Sequence, residues 1–221
     1  MSIAVLGKGK TGSKVIELAQ GTVEVFDRVN VPTFEKLIKH DLIISFLPGD
    51  AFLSLIPILL ETKLPVVTGS TGFQWPEDFN QTLKDHNLTW IYGTNFSLGV
   101  VALKQLIEKL NQVSHLFPHK QFSIHEVHHH KKVDAPSGTA LSMKEWLHAP
   151  STITSDRTGD VIGHHSLTLD TGSETITLTH DAKDRRLFAE GALWAANLIK
   201  TKKMEAGLHP FQHVVETHLS L

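Results

Sequence analysis

The chain has 221 residues, 41% of them hydrophobic, and a formal net charge of −2 at neutral pH. That is enough apolar content for one large domain or two modest ones, and it gives no global electrostatic reason to meet nucleic acid or an anionic membrane. With no cysteine, disulfides and thiolate metal sites are excluded, and a cytoplasmic location is expected.

The opening Met-Ser-Ile-Ala-Val-Leu-Gly reads as a buried strand and lacks the cationic region and cleavage site of a signal peptide. Ile3 to Leu6 is followed by Gly7-Lys8-Gly9-Lys10-Thr11-Gly12 and then by a helical pattern from Val15. Thr22 to Phe26 forms the second strand, with Asp27-Arg28 at its end. Pro32 to about Lys39 is a short helix, Leu42 to Phe46 a third strand, and Pro48 opens another helix. The apolar run of that helix, Ala51 to Leu60, is interrupted by Pro57 and is too short to span a bilayer. Pro65 to Thr68 and Leu88 to Tyr92 read as strands on either side of a helix from about Pro76 to Asp85. Strands alternating with helices at this spacing predict a Rossmann-type doubly wound α/β domain with a parallel sheet.

The pattern changes at Gly99 to Leu110, a longer amphipathic helix. Gln121 to Val127 reads as a strand and Gly138 to Leu147 as a helix. Gly163 to Leu169 and Glu174 to His180 alternate like antiparallel strands of an open-faced sheet, and Arg185 to Ile199 is helical again. The expected organisation is a dinucleotide-binding domain over 1–96, rejoined by a tail at about 207–221. An α+β domain with an open-faced mixed sheet covers 97–206, after a hinge near Asn95 to Leu98.

Gly7-x-Gly9-x-x-Gly12 between a strand and a helix lets a pyrophosphate approach the backbone and meet the positive end of the helix dipole. Asp27 can accept from the adenosine ribose hydroxyls, which suits NADH. Arg28, with Lys8 and Lys10, can receive the 2′-phosphate of NADPH.

Fifteen histidines are present, and seven lie between His115 and His148. The trio His128-His129-His130 is open to three readings: catalytic groups, a surface run, or a metal site. The metal reading is the least favoured, because consecutive residues in an extended chain point to opposite sides. A strand period of two puts His128, His130 and Lys132 on one side. Histidine titrates nearest neutrality, and Ser137, Gly138 and Thr139 stand where a helix begins and can offer hydroxyl and backbone donors to a carboxylate.

The stretch Glu126-x-His128-His129-x-x-Lys132-x-Asp134-Ala135-Pro136-Ser137-Gly138-Thr139-Ala140 closely resembles the signature of the dihydrodipicolinate reductase family. Three further pieces fall in the family's order: Gly69-Ser70-Thr71-Gly72-Phe73, Asn95-Phe96-Ser97-Leu98-Gly99-Val100, and His180 through Arg185 to Phe188-Ala189-Glu190-Gly191-Ala192. The resemblance implies NADH- or NADPH-dependent reduction of a small cyclic dicarboxylate, 4-hydroxy-tetrahydrodipicolinate, in lysine and diaminopimelate synthesis. It implies His128 as acid/base, Lys132 as proton donor, His129 as a substrate contact, and Gly138 with Thr139 as a carboxylate cradle. It also implies cofactor contacts from Gly7 to Gly12, Asp27, Arg28, Gly69, Ser70, Thr71, Tyr92, Gly93, Thr94 and Asn95, no metal, and a homotetramer built through the second domain's sheet. The chain departs from the family in a glycine loop one residue shorter, in Ser45-Phe46-Leu47-Pro48 where members commonly carry an aspartate, and in a trimmed segment around Pro150 to Asp156.

Overall fold

The computed structural model describes residues 1–202 and 204–219. Lys203, Ser220 and Leu221, which fall within ranges assigned from the sequence, lie outside the described residues. The chain separates into two compact units, Met1–Ser97 together with the segment from Arg185, and Leu98–Asp184.

The first unit is built on six strands, β1 (Ser2–Leu6), β2 (Thr22–Phe26), β3 (Leu42–Ser45), β4 (Val66–Thr68), β5 (Thr89–Tyr92) and β10 (Gly207–Pro210). Every pairing is parallel, in the order β10-β5-β4-β3-β1-β2. The connecting helices are α1 (Lys10–Leu18), α2 (Phe34–Leu37), α3 (Gly49–Thr62) and α4 (Phe79–Asp85). Strands β1, β3 and β4 are buried almost throughout, as expected where helices cover both faces of a parallel sheet. Chain order reverses between β1 and β3, and in open α/β sheets ligands bind beyond the carboxyl ends of the strands at that switch point.

Helix α7 (Arg186–Thr201) belongs to this first unit, although the sequence pattern grouped it with the second. Its buried face is nearly all small residues, namely Ala189, Gly191, Ala192, Ala195 and Ala196, which lets the helix lie close to α1, β3 and β4. At Gly191 any Cβ would run into the Phe96 carbonyl. Strand β10 pairs with β5 and leads into α8 (Phe211–Leu219).

The second unit is one four-stranded mixed sheet with two helices on it. Its strands are β6 (Gln121–His128), β7 (Ser151–Arg157), β8 (Gly163–Asp170) and β9 (Thr175–Ala182), in the order β7-β6-β8-β9. β7 runs parallel to β6, while β8 is antiparallel to both β6 and β9. The segment read from the sequence as trimmed is therefore largely strand β7.

Burial alternates along β6 and β8, so one face packs under α5 (Leu98–Val113) and α6 (Gly138–Leu147). On that face the strand register makes rungs. Ser151, Phe122, Leu169 and Ile176 stand side by side, and Ile153, Ile124, Leu167 and Leu178 form the next rung. Then the chemistry changes, because the following rung is Ser155, Glu126, His165 and His180, and beyond it Arg157 pairs with His128 and Gly163 with Ala182. The buried face turns from hydrocarbon to titratable groups within one sheet.

Candidate active site

The cofactor residues assigned from the sequence all lie at or just after strand ends of the first sheet. Gly7 takes φ +96, a conformation that suits glycine. A Cβ on Gly12 would strike the Gly7 carbonyl, so α1 can pack onto the turn only if this residue is bare. Gly9 is exposed, with nothing within 4 Å of where its Cβ would be. It stands at the N-cap of α1 without a side-chain cap, which leaves the first N–H groups of the helix for a ligand. A cavity of about 620 Å³ opens here, lined by Gly7, Lys8, Gly9, Asp27 and Arg28 and floored by Phe46, Leu47, Pro48 and Leu55. Sequence reasoning missed this apolar floor; the proline and the helix start after β3 were its only signal.

Asp27 Oδ1 accepts from the N–H groups of Val29 (2.8 Å) and Asn30 (3.0 Å). The Asn30 bond first, then the Val29 bond, holds its carboxyl below the usual range, so it is a fixed negative charge at the rim. After β4 and β5, Ser70 Oγ lies 3.2 Å from Ser45 Oγ, Gly93 N–H donates to the Thr68 carbonyl, and Asn95 Oδ1 accepts from Ser97 N–H. Phe46 and Phe96 meet edge to face at 5.9 Å. Thr71 and Thr94 are exposed at these turns and Tyr92 is half-buried. Lys8, Lys10 and Arg28 are exposed as well, and Thr11 is half-buried.

In the second unit β6 ends at His128. The Thr158 N–H donates to the His128 carbonyl, the His129 N–H to Val161, and the Lys132 N–H turns back to His129. The strand parity that would align His130 and Lys132 with His128 therefore does not apply. His130 is exposed and His129 half-buried, its Nδ1 without a hydrogen-bond partner. Lys132 Nζ is held by both oxygens of Asp134, at 2.7 and 2.8 Å.

Around His128 the polar rungs form a buried cluster. Glu126 is fully buried, His165 is 4% exposed and His128 7%. Glu126 Oε1 accepts from Arg157 Nη2 (2.9 Å) and from the Ser137 N–H (3.0 Å). Burial works against ionisation of Glu126, and the Ser137, Arg157 and Ser155 hydrogen bonds overcome it, pulling the carboxyl down to about 2. Its Oε2 lies 3.0 Å from His128 Nδ1 and 3.8 Å from His165 Nε2. Desolvation lowers the pKa of His128, partly offset by Glu126. Desolvation, followed by the neighbouring His128, pushes His165 down to about 4. Both imidazoles are neutral at pH 7.

Donor atoms of Glu126, His128 and His165 lie within 4.8 Å of one another, a spacing a cation could use. The carboxylate charge, however, is already matched by Arg157, whose guanidinium also holds the Asp134 carbonyl. The donor set fits an imidazole–carboxylate cluster better than a metal centre.

Ser137 caps α6: its Oγ accepts from the Ala140 N–H (3.3 Å) and contacts His165 Nε2 (3.2 Å). With its N–H on Glu126, this buried serine is committed on every side, so the exposed Gly138 and half-buried Thr139 present the helix N–H donors. Glu126, Arg157 and His165 carry no role in the sequence reading. Glu126 shares strand parity with His128 and could have been found that way. Arg157 and His165 reach the cluster only by register.

A doubly wound parallel domain with a bare-glycine turn at its switch point, joined in one chain to a sheet bearing a buried imidazole–carboxylate cluster, defines the class of two-domain nicotinamide oxidoreductases. Within that class the chain belongs to the dihydrodipicolinate reductase family. The family profile described as dihydrodipicolinate reductase, C-terminus, matches residues 99–215. The 4-hydroxy-tetrahydrodipicolinate reductase of Bdellovibrio bacteriovorus is 32% identical over 79% of this chain and 76% of its own length. That of Buchnera aphidicola subsp. Baizongia pistaciae is 26% identical over 93% of this chain and 85% of its own. The dipicolinate-bound dihydrodipicolinate reductase of Paenisporosarcina sp. TG-14 shares the fold, with a TM-score of 0.75 at 22% identity, over 95% of this chain and 97% of that one.

Proposed function

We propose that the chain reduces 4-hydroxy-tetrahydrodipicolinate to tetrahydrodipicolinate in lysine and diaminopimelate biosynthesis, with His128 and Lys132 handling the protons. The family signature carries the reaction. The buried cluster at His128 carries the assignment of roles.

The bound dinucleotide supplies a hydride. Loss of water from the 4-hydroxy compound leaves a conjugated imine, and hydride addition to that ring drives electron density onto nitrogen. A proton source close by stabilises that charge. Lys132, held on Asp134 until a substrate carboxylate competes for it, is the cationic donor. His128, neutral at pH 7, accepts and passes on protons beside it. The N–H groups of Gly138 and Thr139 at the start of α6 suit a substrate carboxylate, and His129 is a further contact.

On the first unit, Gly7, Gly9 and Gly12 with Lys8, Lys10 and Thr11 hold the pyrophosphate. Asp27 and Arg28 read the adenosine ribose, and Gly69, Ser70, Thr71, Tyr92, Gly93, Thr94 and Asn95 line the nicotinamide end. The pairing of an acceptor at Asp27 with a cation at Arg28 supports use of both NADH and NADPH.

Among the described residues no helix is long and apolar enough to cross a membrane, and a cytoplasmic enzyme is our reading. A homotetramer is also part of it, joined through the sheet face opposite α5 and α6, where Thr154, Ser166, Thr168 and Thr177 stand. Light scattering of the purified protein checks that assembly, and a monomeric mass removes it. The function is tested by assaying NADH and NADPH oxidation with 4-hydroxy-tetrahydrodipicolinate against other small imino acids. Turnover confined to a different imino acid would sink the substrate assignment.

A further inference from the structure

The two oxygens of Glu126 are not equivalent. Oε1 has two aligned donors, Arg157 Nη2 at 2.9 Å and the Ser137 N–H at 3.0 Å. Oε2 has no aligned donor, and neither has His128 Nδ1 an aligned acceptor, yet the two atoms are 3.0 Å apart. A fully buried carboxylate oxygen without a proton donor is costly. His165 and Ser155 are the less suitable sources: His165 Nε2 is 3.8 Å away and already paired with Ser137 Oγ, and the Ser155 hydroxyl beside Glu126 makes no aligned bond to Oε2. A small rotation of the His128 ring satisfies both orphaned atoms at once.

We propose that Glu126 is the positioning residue for His128: Arg157 and the Ser137 N–H fix Oε1, and Oε2 accepts a hydrogen bond from Nδ1–H, so that His128 presents an unprotonated Nε2. This rests on the reading of His128 as the acid/base group. Nε2 lies against Gly163, where a Cβ would come within 3.1 Å, so the bare residue keeps this side of the ring uncrowded. Both partners sit on β6, an interior strand of the sheet, which gives the pair a rigid base. The charged and titratable groups around His128 are Glu126 on its own strand, Arg157 on β7, His165 on β8, and Lys132 and Asp134 from the loop that follows. Of these, Glu126 is the acceptor within reach of Nδ1.

Glu126→Gln isolates the effect. Its amide oxygen can stay on Arg157 and the Ser137 N–H, while its NH₂ group replaces Oε2, so Nδ1 must accept and the ring proton moves to Nε2. The test is the imidazole ¹⁵N spectrum of His128 at pH 7.5, with kcat/KM profiles against pH. The wild type should show the Nδ1–H tautomer and Glu126→Gln the Nε2–H tautomer. kcat/KM should fall by about 10²-fold or more, as it does when a catalytic imidazole is held in the wrong tautomer. NADH affinity should stay unchanged, and the His128 titration should move to lower pH as its negative neighbour is lost. Glu126→Asp, which keeps the charge at shorter reach, should recover part of the activity.

An Nε2–H tautomer in the wild type overturns the proposal, as does unchanged turnover in Glu126→Gln beside an inactive His128→Ala. Full turnover in His128→Ala would instead remove the acid/base reading and leave the tautomer to the spectrum. If Glu126→Gln does not fold, the wild-type tautomer decides alone.

Discussion

The two units make their sites in different ways. In the first, each contributing piece is a short run directly after a parallel strand, such as Gly7 to Gly12 after β1 or Asp27-Arg28 after β2. Parallel strands end on the same edge, so topology alone gathers these runs. In the second, Arg157, Glu126 with His128, and His165 come from three different strands and meet through lateral register. The first kind of site tolerates change between its pieces, because each is complete in itself. The second shares one carboxylate among an arginine, a helix cap and an imidazole, so a lesion at any member is felt by the rest.

That contrast can be broken from either side. The largest effect is expected in His128→Ala and Lys132→Ala, where steady-state turnover should fall by about 10²–10⁴-fold. NADH binding, followed by fluorescence, should remain as in the wild type, since neither residue belongs to the first unit. Arg157→Met should cost about 3–5 kcal/mol in urea denaturation, because it leaves Glu126 buried without its cation; a loss under 1 kcal/mol would mean that the carboxylate finds water.

Acid should act on the second unit first. His165 has a folded pKa of about 4, below its ordinary 6.5, so the unfolded chain binds its proton more readily. Stability is whole above pH 6.5 and declines as pH falls through 4, by on the order of 3 kcal/mol. Glu126, ionised down to about 2 against an ordinary 4.5, adds a further loss below pH 4.5. Denaturation of the wild type and His165→Gln at pH 7 and 4.5 checks this, with the variant expected to lose less between the two. The smallest change belongs to Asp27→Asn, which should shift the NADPH to NADH preference by about tenfold toward NADPH. The substrate KM should not move.

The glycine turn, the acidic residue after β2 and the signature from Glu126 to Ala140 were legible because each is local. Gly7 needs its φ, Gly12 its missing Cβ, and Ser137 its place at a helix start, and such requirements leave marks on adjacent residues. Where the reading went astray, distance along the chain was the cause. Helix α7 has the ordinary amphipathic spacing, and nothing local says that its small-residue face is cut to lie against α1 and the first sheet. The histidine trio kept a strand period on paper, but β6 stops at His128, where the chain is tied to Thr158 and Val161.

The family, the doubly wound first unit and the titratable stretch at the end of β6 can each be read from neighbouring residues. Which titratable groups are buried together depends on how the strands pair. A parallel partner, β7, brings Arg157 beside His128, and an antiparallel one, β8, brings His165 beside Glu126. Strand register is fixed by the burial of whole faces, a property of the sheet that no single stretch of the chain carries.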